Sequence, residues 1–306
     1  MRSPRATPPV REATRGWFGW PRATATRPRW STWSWSRSRP PGLRRRGFGD
    51  QGVAAIATYQ SILAYDGTRF AGFQRQRGRR TVQGEVEKAL RRLGWRQHAV
   101  RAAGRTDRGV HAVGQVIAYE LDWLGDPDRL TAALNAHLPD DAAVTETRPA
   151  PDGFHPRYAA VWRRYRYRIV ASPVRRPLAE RYAWRVWPKP DPEAVQAAIG
   201  AVVGEHDFGA FGTPPRRGSH TRRTVRHAAW QAEGDGAQFV IEGDAFLYRM
   251  VRRLTAALIA VGQGRLTAEA FAALVDSPAR RWQGSIAPAH GLCLESVVFV
   301  DDRVGP

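Results

Sequence analysis

A lone carboxylate stands in an arginine- and glycine-rich segment one third of the way along the chain. Asp107 has two arginines and two glycines beside it: Arg105, Arg108, Gly104 and Gly109. The glycines suit a tight loop, and the arginines favour the ionised carboxylate. Such a group can act as a nucleophile or stabilise developing positive charge. An aspartate beside a glycine is also ordinary turn chemistry, so a structural role is the alternative.

The elements around this segment are expected to hold it at the end of a strand. Residues 113–121 alternate in polarity, which predicts a β-strand directly after Asp107. Reactive side chains commonly lie on such loops. Further elements are predicted from periodicity and capping residues: strands over 55–64, 161–170 and 238–243; helices from Thr81 to Gly94, from Asp128 to Pro139, from Asp191 to Gly204, and after Phe246.

The composition indicates a polyanionic partner. The chain has 306 residues and a formal charge of +20, and only Lys88 and Lys189 of its 48 basic residues are lysines. Such a charge favours binding to nucleic acid phosphates. A single cysteine, Cys293, excludes an intrachain disulfide and a thiolate-rich zinc site. No apolar run is long enough to span a bilayer and no secretory signal is visible, so we expect a cytoplasmic protein.

Three regions are predicted. Residues 1–52 are rich in Arg, Trp and Pro without helical or strand periodicity, which predicts a disordered tail. Its five tryptophans could alternatively stack on bases. Residues 53–153 are an N-terminal half that carries the Asp107 loop, and residues 154–306 are a C-terminal half. A strand followed by a helix occurs in both, which suggests that the halves are related.

Several separated segments resemble one family. Gly104–Ala112 resembles the catalytic motif of the tRNA pseudouridine synthase A family, with Arg108 in place of the usual small residue. Other matching segments follow in the family's order: Tyr65–Gly67, Gly72–Gln76, Thr81–Gln83, Arg163–Tyr167, Phe246–Arg252 and Ala287–Leu292. The resemblance covers about residues 54–300.

The resemblance implies roles for individual residues. Asp107 would be the catalytic carboxylate, Arg252 its partner, and Tyr165 the ring against the target uracil. Arg105 would fill the space of a flipped nucleotide or hold the RNA backbone, and Leu292 would pack by the site. Six further residues would contact tRNA: Phe154, His155, Arg157, Tyr158, Arg216 and Arg217. Without the resemblance, Tyr165 is equally explained as core and Arg252 as part of a solvated basic face.

The resemblance also implies fold and function. The fold would be the α+β pseudouridine synthase fold, with two related α/β halves and antiparallel sheets around a central cleft. The protein would be an isomerase that converts uridine to pseudouridine in the anticodon stem-loop of tRNA, at positions 38–40, as a homodimer without a cofactor or metal. Asp107 could attack C1′ or C6 of the nucleotide, or stabilise an intermediate, and the sequence leaves these open.

Two other classes of function are the alternatives: a binding protein without activity, and an enzyme that removes or deaminates a base. A non-catalytic basic tRNA-binding protein would explain the charge, but it gains nothing from a carboxylate facing phosphates. A deaminase requires a zinc site that one cysteine does not build. A base-removing glycosidase normally uses two carboxylates, and none accompanies Asp107 in the local sequence.

Overall fold

The computed structural model describes residues 56–214, 218–277 and 280–300. Contacts divide the chain into two units, Met1–Gly52 and Val53–Pro306. All described residues belong to the second unit. The predicted tail, residues 1–52, and the predicted tRNA contacts Arg216 and Arg217 lie outside the described residues, so they stay predictions.

The described chain is a mixture of ten strands and seven helices. The strands are β1 (Ala57–Tyr65), β2 (Arg101–Ala102), β3 (His111–Leu121), β4 (Ala142–Pro149), β5 (Ala160–Ala171), β6 (Trp184–Val186), β7 (Gly204–Asp207), β8 (Arg222–Glu233), β9 (Gly236–Gly243) and β10 (Leu292–Phe299). The helices are α1 (Val82–Arg92), α2 (Pro127–Asn135), α3 (Pro156–Ala159), α4 (Pro177–Glu180), α5 (Pro192–Ile199), α6 (Met250–Gly262) and α7 (Ala268–Val275).

The described strands join in one sheet with the order β4-β1-β3-β10-β5-β9-β8-β7. Most neighbours are antiparallel, which confirms the predicted α+β class. The strands of the two sequence halves form a continuous sheet, because β10 returns from the C-terminus to lie between β3 and β5. β10 runs parallel to β3 through Cys293↔His111 and antiparallel to β5 through Leu294↔Tyr165. The last strand of the chain therefore fixes the position of β3, which follows the Asp107 loop, relative to β5.

Local capping chemistry explains where the helices begin. The Thr81 hydroxyl accepts a hydrogen bond from the amide of Gly84 and starts α1 as predicted. Asp191, followed by Pro192, starts α5 in the same way. The prediction that Asp128 caps α2 is wrong: Asp126 does so, because its carboxylate reaches the amide of Arg129 and Pro127 fits the first helical position.

Two predicted helix ends are also wrong. α2 ends at Asn135, well before Pro139. α5 ends at Ile199, since the chain tightens into a 3-10 turn over Gly200–Val202. Gly204 instead begins β7. The segment after Phe154 forms the short helix α3, which His155 caps.

Two apolar clusters lie against the sheet. One is built on α5, α6 and α7 with β8 and β9, and the other on α1, α2, β1 and β3. Leu292 belongs to the first cluster and Leu294 to the second, although both lie on β10. Tyr165 packs against both. The ring of Tyr165 therefore lies at the seam between the two cores. None of the described helices is both long and apolar enough to cross a membrane.

Candidate active site

The Asp107 loop is a tight turn held from one side. The amide of Val110 donates to the carbonyl of Asp107 at 3.1 Å, and Gly109 has φ +80°, which is the geometry of a type II turn. A side chain on Gly67 would place its Cβ 2.1 Å from the carbonyl oxygen of Val110, so the segment after β1 packs tightly under the turn. Arg108 occupies the first corner of the turn, where its side chain is exposed.

Thr106 anchors the loop immediately before Asp107. Its carbonyl accepts from the amide of Phe73 at 3.0 Å, and its hydroxyl bonds to the hydroxyl of the buried Tyr65 at 2.8 Å. Tyr65 lies at the end of β1 and Phe73 in the segment that leads to α1. These bonds fix the backbone on which the carboxylate of Asp107 is carried.

Arg252 meets Asp107 from 145 residues further along the chain. Its Nη1 donates to Asp107 Oδ2 at 3.0 Å, and its Nε donates to the carbonyl of Ala287 at 2.8 Å. Both side chains are largely covered, with 13% of Arg252 and 21% of Asp107 exposed. The Nε of Arg252 is therefore used on the Ala287 carbonyl and not on the carboxylate of Asp107. The guanidinium instead bridges the carboxylate and the segment before β10.

Tyr165 lies beside this pair on β5. Its ring meets Phe246 edge-on, with 5.2 Å between centroids. Burial raises the pKa of Tyr165 to about 12, with Arg163 lowering it and Asp107 raising it further. At neutral pH the phenol is thus protonated and a poor base. This favours a packing or stacking role over removal of a proton.

These residues open onto a cleft of about 1270 Å³. Among the described residues that line the cleft, Asp107 is the only carboxylate and nine are arginines: Arg79, Arg101, Arg105, Arg108, Arg157, Arg163, Arg223, Arg249 and Arg252. The cleft is therefore a strongly positive concavity around one negative group, which suits a phosphate-rich ligand.

The structure gathers most of the predicted site residues at this cleft. Besides Asp107, Tyr165 and Arg252, its lining includes Arg105, His155, Arg157, Tyr158 and Leu292. Phe154 is the exception among the described candidates. Its ring packs on Phe299 with 5.5 Å between centroids, in a small apolar cluster with Ala103 and Val116. Phe154 therefore lies under α3 and supports the neighbouring residues.

The sequence-based site residues include three of the nine cleft arginines and miss six: Arg79, Arg101, Arg108, Arg163, Arg223 and Arg249. Arg163 is 9% exposed and donates to the carbonyls of Ala103, Arg157, Ala160 and Asp244, which ties four segments together. Arg223, also 9% exposed, lies at the start of β8. Arg249 caps α6 with φ +63°, a conformation that costs energy in a non-glycine residue. Arg163 and Arg249 lie in the segments Arg163–Tyr167 and Phe246–Arg252, whose resemblance to the family was the signal that could have found them.

No group of three or more His, Cys, Asp or Glu in the described ranges could hold a metal ion.

His155 contributes a ring to the cleft, where burial and the charge of Arg101 lower its pKa. Its Nδ1 accepts from the amide of Arg157 at 3.2 Å, so the ring caps α3. What the arrangement offers chemically is an ionisable acid, an arginine bound to it, and a flat aromatic surface.

Comparison with known proteins gives a consistent result. A family model described as tRNA pseudouridine synthase matches residues 62–159 and 198–300. The tRNA pseudouridine synthase A of Shouchella clausii is 40% identical over 250 residues, covering 79% of this chain and 95% of that protein. The protein of the same name from Frankia casuarinae is 43% identical over 244 residues, covering 78% of this chain and 88% of that protein.

A solved Cbf5-Nop10-Gar1 complex contains a chain that aligns over 58% of this chain and 40% of its own length, at 16% identity and a TM-score of 0.30, a similarity too low to bear on the fold. The family model, in contrast, matches the residues of the Asp107 loop, α6 and β10, and the two curated relatives each cover more than three quarters of this chain. The chain belongs to the tRNA pseudouridine synthase family.

Proposed function

We propose that this protein isomerises uridine to pseudouridine in the anticodon stem-loop of tRNA, at positions 38–40, with Asp107 as the catalytic residue and no cofactor. The observation that carries the proposal is the position of Asp107. It is the sole carboxylate among the described lining residues of an arginine-rich cleft, and Arg252 is hydrogen-bonded to it.

The reaction fits this set of groups. The N1–C1′ bond of the nucleotide breaks, the uracil turns, and a C5–C1′ bond forms, while the proton lost from C5 is balanced by one gained at N1. Nothing is oxidised and no water is consumed. A carboxylate can attack the nucleotide at C1′ or C6, or stabilise the sugar cation, and Arg252 would keep Asp107 ionised and oriented.

The surroundings of Asp107 support a role for the other residues. A uridine in a stem must be flipped out before chemistry, and the exposed Arg105 is two residues from Asp107 on the same loop. Tyr165 would then stack on the extruded uracil. Arg157 and Tyr158 on α3 would hold the RNA strand at the rim, with His155 orienting them and Leu292 packing below.

The alternatives fit less well. A tRNA-binding protein without activity leaves the Asp107–Arg252 contact unexplained, because a carboxylate in a phosphate-binding cleft weakens binding. A glycosidase that follows the two-carboxylate mechanism lacks its second acid among the described residues lining the cleft.

Asp107→Asn tests the proposal. The amide keeps the shape but loses the charge, so we expect tritium release from C5-labelled tRNA to fall to background while tRNA affinity stays within about threefold of the original. The matched control is Asp128→Asn, an exposed aspartate on α2 outside the cleft, which should turn over normally. Retained turnover in Asp107→Asn refutes the catalytic assignment.

We also propose a homodimer, which the family resemblance implies, and a cytoplasmic location, which suits an enzyme that modifies tRNA. Light scattering of the full chain with and without tRNA measures the first, and a monomer under both conditions contradicts it.

A further inference from the structure

Among the described residues, Arg223 is a buried cation without an ion-pair partner. It is 9% exposed, and its Nε is buried with no hydrogen-bond partner in the same ranges. Within the part of the chain that the structure describes, its Nη1 donates only to the preceding segment: His220 Nδ1 at 3.4 Å, His220 O at 3.3 Å and Arg222 O at 2.5 Å. Burying a guanidinium in this way is costly unless an anion completes the site.

The neighbouring carboxylates do not supply that anion. Asp244 and Asp207 act on Arg223 electrostatically, but no ion pair joins either of them to it within the described chain. The Oδ1 of Asp244 accepts from the amides of Thr224 and Ala245, and the Oδ1 of Asp207 accepts from Gly209 and Thr221. Both carboxylates are thus engaged locally. Burial together with the charge of Arg157 lowers the pKa of Arg223, in spite of both aspartates.

Two other arginines line the cleft together with Arg223, and the charge of one of them, Arg157, acts on it directly. Arg157, on α3, lines the same cleft and is exposed. Arg163 is as buried as Arg223, yet its donors are used on four backbone carbonyls, so it adds positive field without being free to bind a ligand. Arg223 therefore has free donors, a buried charge and access to the cleft.

We propose that Arg223, with Arg157, forms a phosphate subsite that binds one phosphodiester of the RNA strand lying in the cleft. The subsite rests on the proposed function for its ligand class. A phosphodiester carries one negative charge and accepts two hydrogen bonds in the planar fork that a guanidinium offers. Because Arg223 is buried, its ordered side chain binds at little entropic cost, unlike the exposed arginines at the rim.

The test measures affinity for a synthetic anticodon stem-loop by the full chain, Arg223→Met and Arg222→Met. Arg222 is the matched control, since it is the next residue on β8, has a 61% exposed side chain, pairs with Glu205 and does not line the cleft. We expect Arg223→Met to bind about tenfold more weakly, as for one lost charge-assisted hydrogen bond. The slope of log affinity against log salt concentration is negative, and its magnitude should be smaller by about 0.7 in Arg223→Met. Arg222→Met should change neither quantity.

A second measurement identifies the phosphate. Single phosphodiesters of the stem-loop are replaced by uncharged methylphosphonates, and one replacement should weaken binding to the unsubstituted protein but cause no further loss in Arg223→Met. Losses that add at every position, or an Arg222→Met that matches Arg223→Met, overturn the proposal. If circular dichroism shows that Arg223→Met is unfolded, Arg223→Lys replaces it. The loss of affinity that the methylphosphonate causes at that same phosphate must then be smaller in Arg223→Lys than in the original protein. Both readouts are binding, so they stand even where tritium release shows no isomerase activity.

Discussion

At the scale of the residue, the site depends on charged side chains that hydrogen bonds hold in fixed orientations. Arg252 is held by Asp107 and by the carbonyl of Ala287, so its guanidinium has one orientation. Asp107 is held in turn by its type II turn and by Arg252. A carboxylate fixed in this way requires little reorganisation when charge develops opposite it. Exchange of either partner should therefore affect the rate more than affinity.

Replacement of Arg252 by lysine tests this. The ammonium keeps the charge but is too compact to contact Asp107 and the Ala287 carbonyl together. We expect kcat for tritium release to fall roughly 100-fold with KM changed less than about threefold, the penalty typical of a misplaced reacting group. Arg265→Lys, at an exposed position three residues beyond the end of α6, is the control. A rise in KM with unchanged kcat would contradict the positioning role.

Tyr165 yields a prediction about its hydroxyl group. Because the pKa of Tyr165 is raised to about 12, the phenol is neutral throughout the physiological range and the phenolate is scarce. Tyr165→Phe keeps the ring and should retain activity within about tenfold, whereas Tyr165→Leu should lose about 100-fold or more. A Phe variant as inactive as the Leu variant, or a rate that rises tenfold per pH unit from pH 7 to 9, points instead to a basic role.

At the scale of the element, β5 carries two functions on its two faces. Tyr165, Tyr167 and Ile169 face the cores, while Arg164, Arg166 and Arg168 face the other side, because successive side chains of a strand point to opposite faces. Arg164 bonds Glu242 of β9 at 2.6 Å and Glu295 of β10 at 3.0 Å. These bridges cross three adjacent strands and stabilise the part of the sheet that joins the halves.

The contribution of these ion pairs to stability can be measured through its dependence on pH, because Glu242 is ionisable. Burial alone would raise the pKa of Glu242, but hydrogen bonds from Arg164 and Arg226 outweigh it and hold the pKa below its usual value. A folded pKa below the unfolded one adds stability that is complete above the unfolded pKa, about 4.3, and is lost as the pH falls through the folded pKa.

Glu242→Gln should therefore lower the free energy of unfolding at pH 7 by roughly 1–2 kcal/mol, a range already reduced because both arginines are partly solvated. The difference from the original protein should shrink below about pH 4. Urea unfolding at both pH values measures this. The control is Glu233→Gln on the more exposed Arg168 pair, which should cost less. A larger deficit at acid pH than at pH 7 would contradict the linkage.

At the scale of the whole molecule, the cleft exists because the chain returns on itself. β10 inserts between β3 and β5, and Arg252 on α6 reaches the Asp107 loop. The family match begins at residue 62, and the described fold at residue 56. Neither includes the predicted tail.

Deletion of residues 1–52 should for this reason leave kcat, KM and tRNA affinity within about twofold of the full chain. Steady-state tritium release and binding at matched salt measure them. Weaker binding with intact kcat would show that the arginines and tryptophans of the tail contact RNA, while a lost kcat would place the tail in the site.

The sequence by itself determined the local features: the Asp107 turn, the strand after it, the caps of α1 and α5 and the two faces of β5, because turns, caps and alternation depend on neighbouring residues. Its motif resemblance also led to Arg252. Only the tertiary structure decided that Arg252 divides its donors between Asp107 and Ala287, that Arg163 bridges four segments, and that Arg223 is buried without an ion pair to any described carboxylate. These features depend on contacts between residues distant in the chain, which no local pattern encodes. Prediction from neighbouring residues also failed at the start of α2, where Asp126 rather than Asp128 reached the free amide.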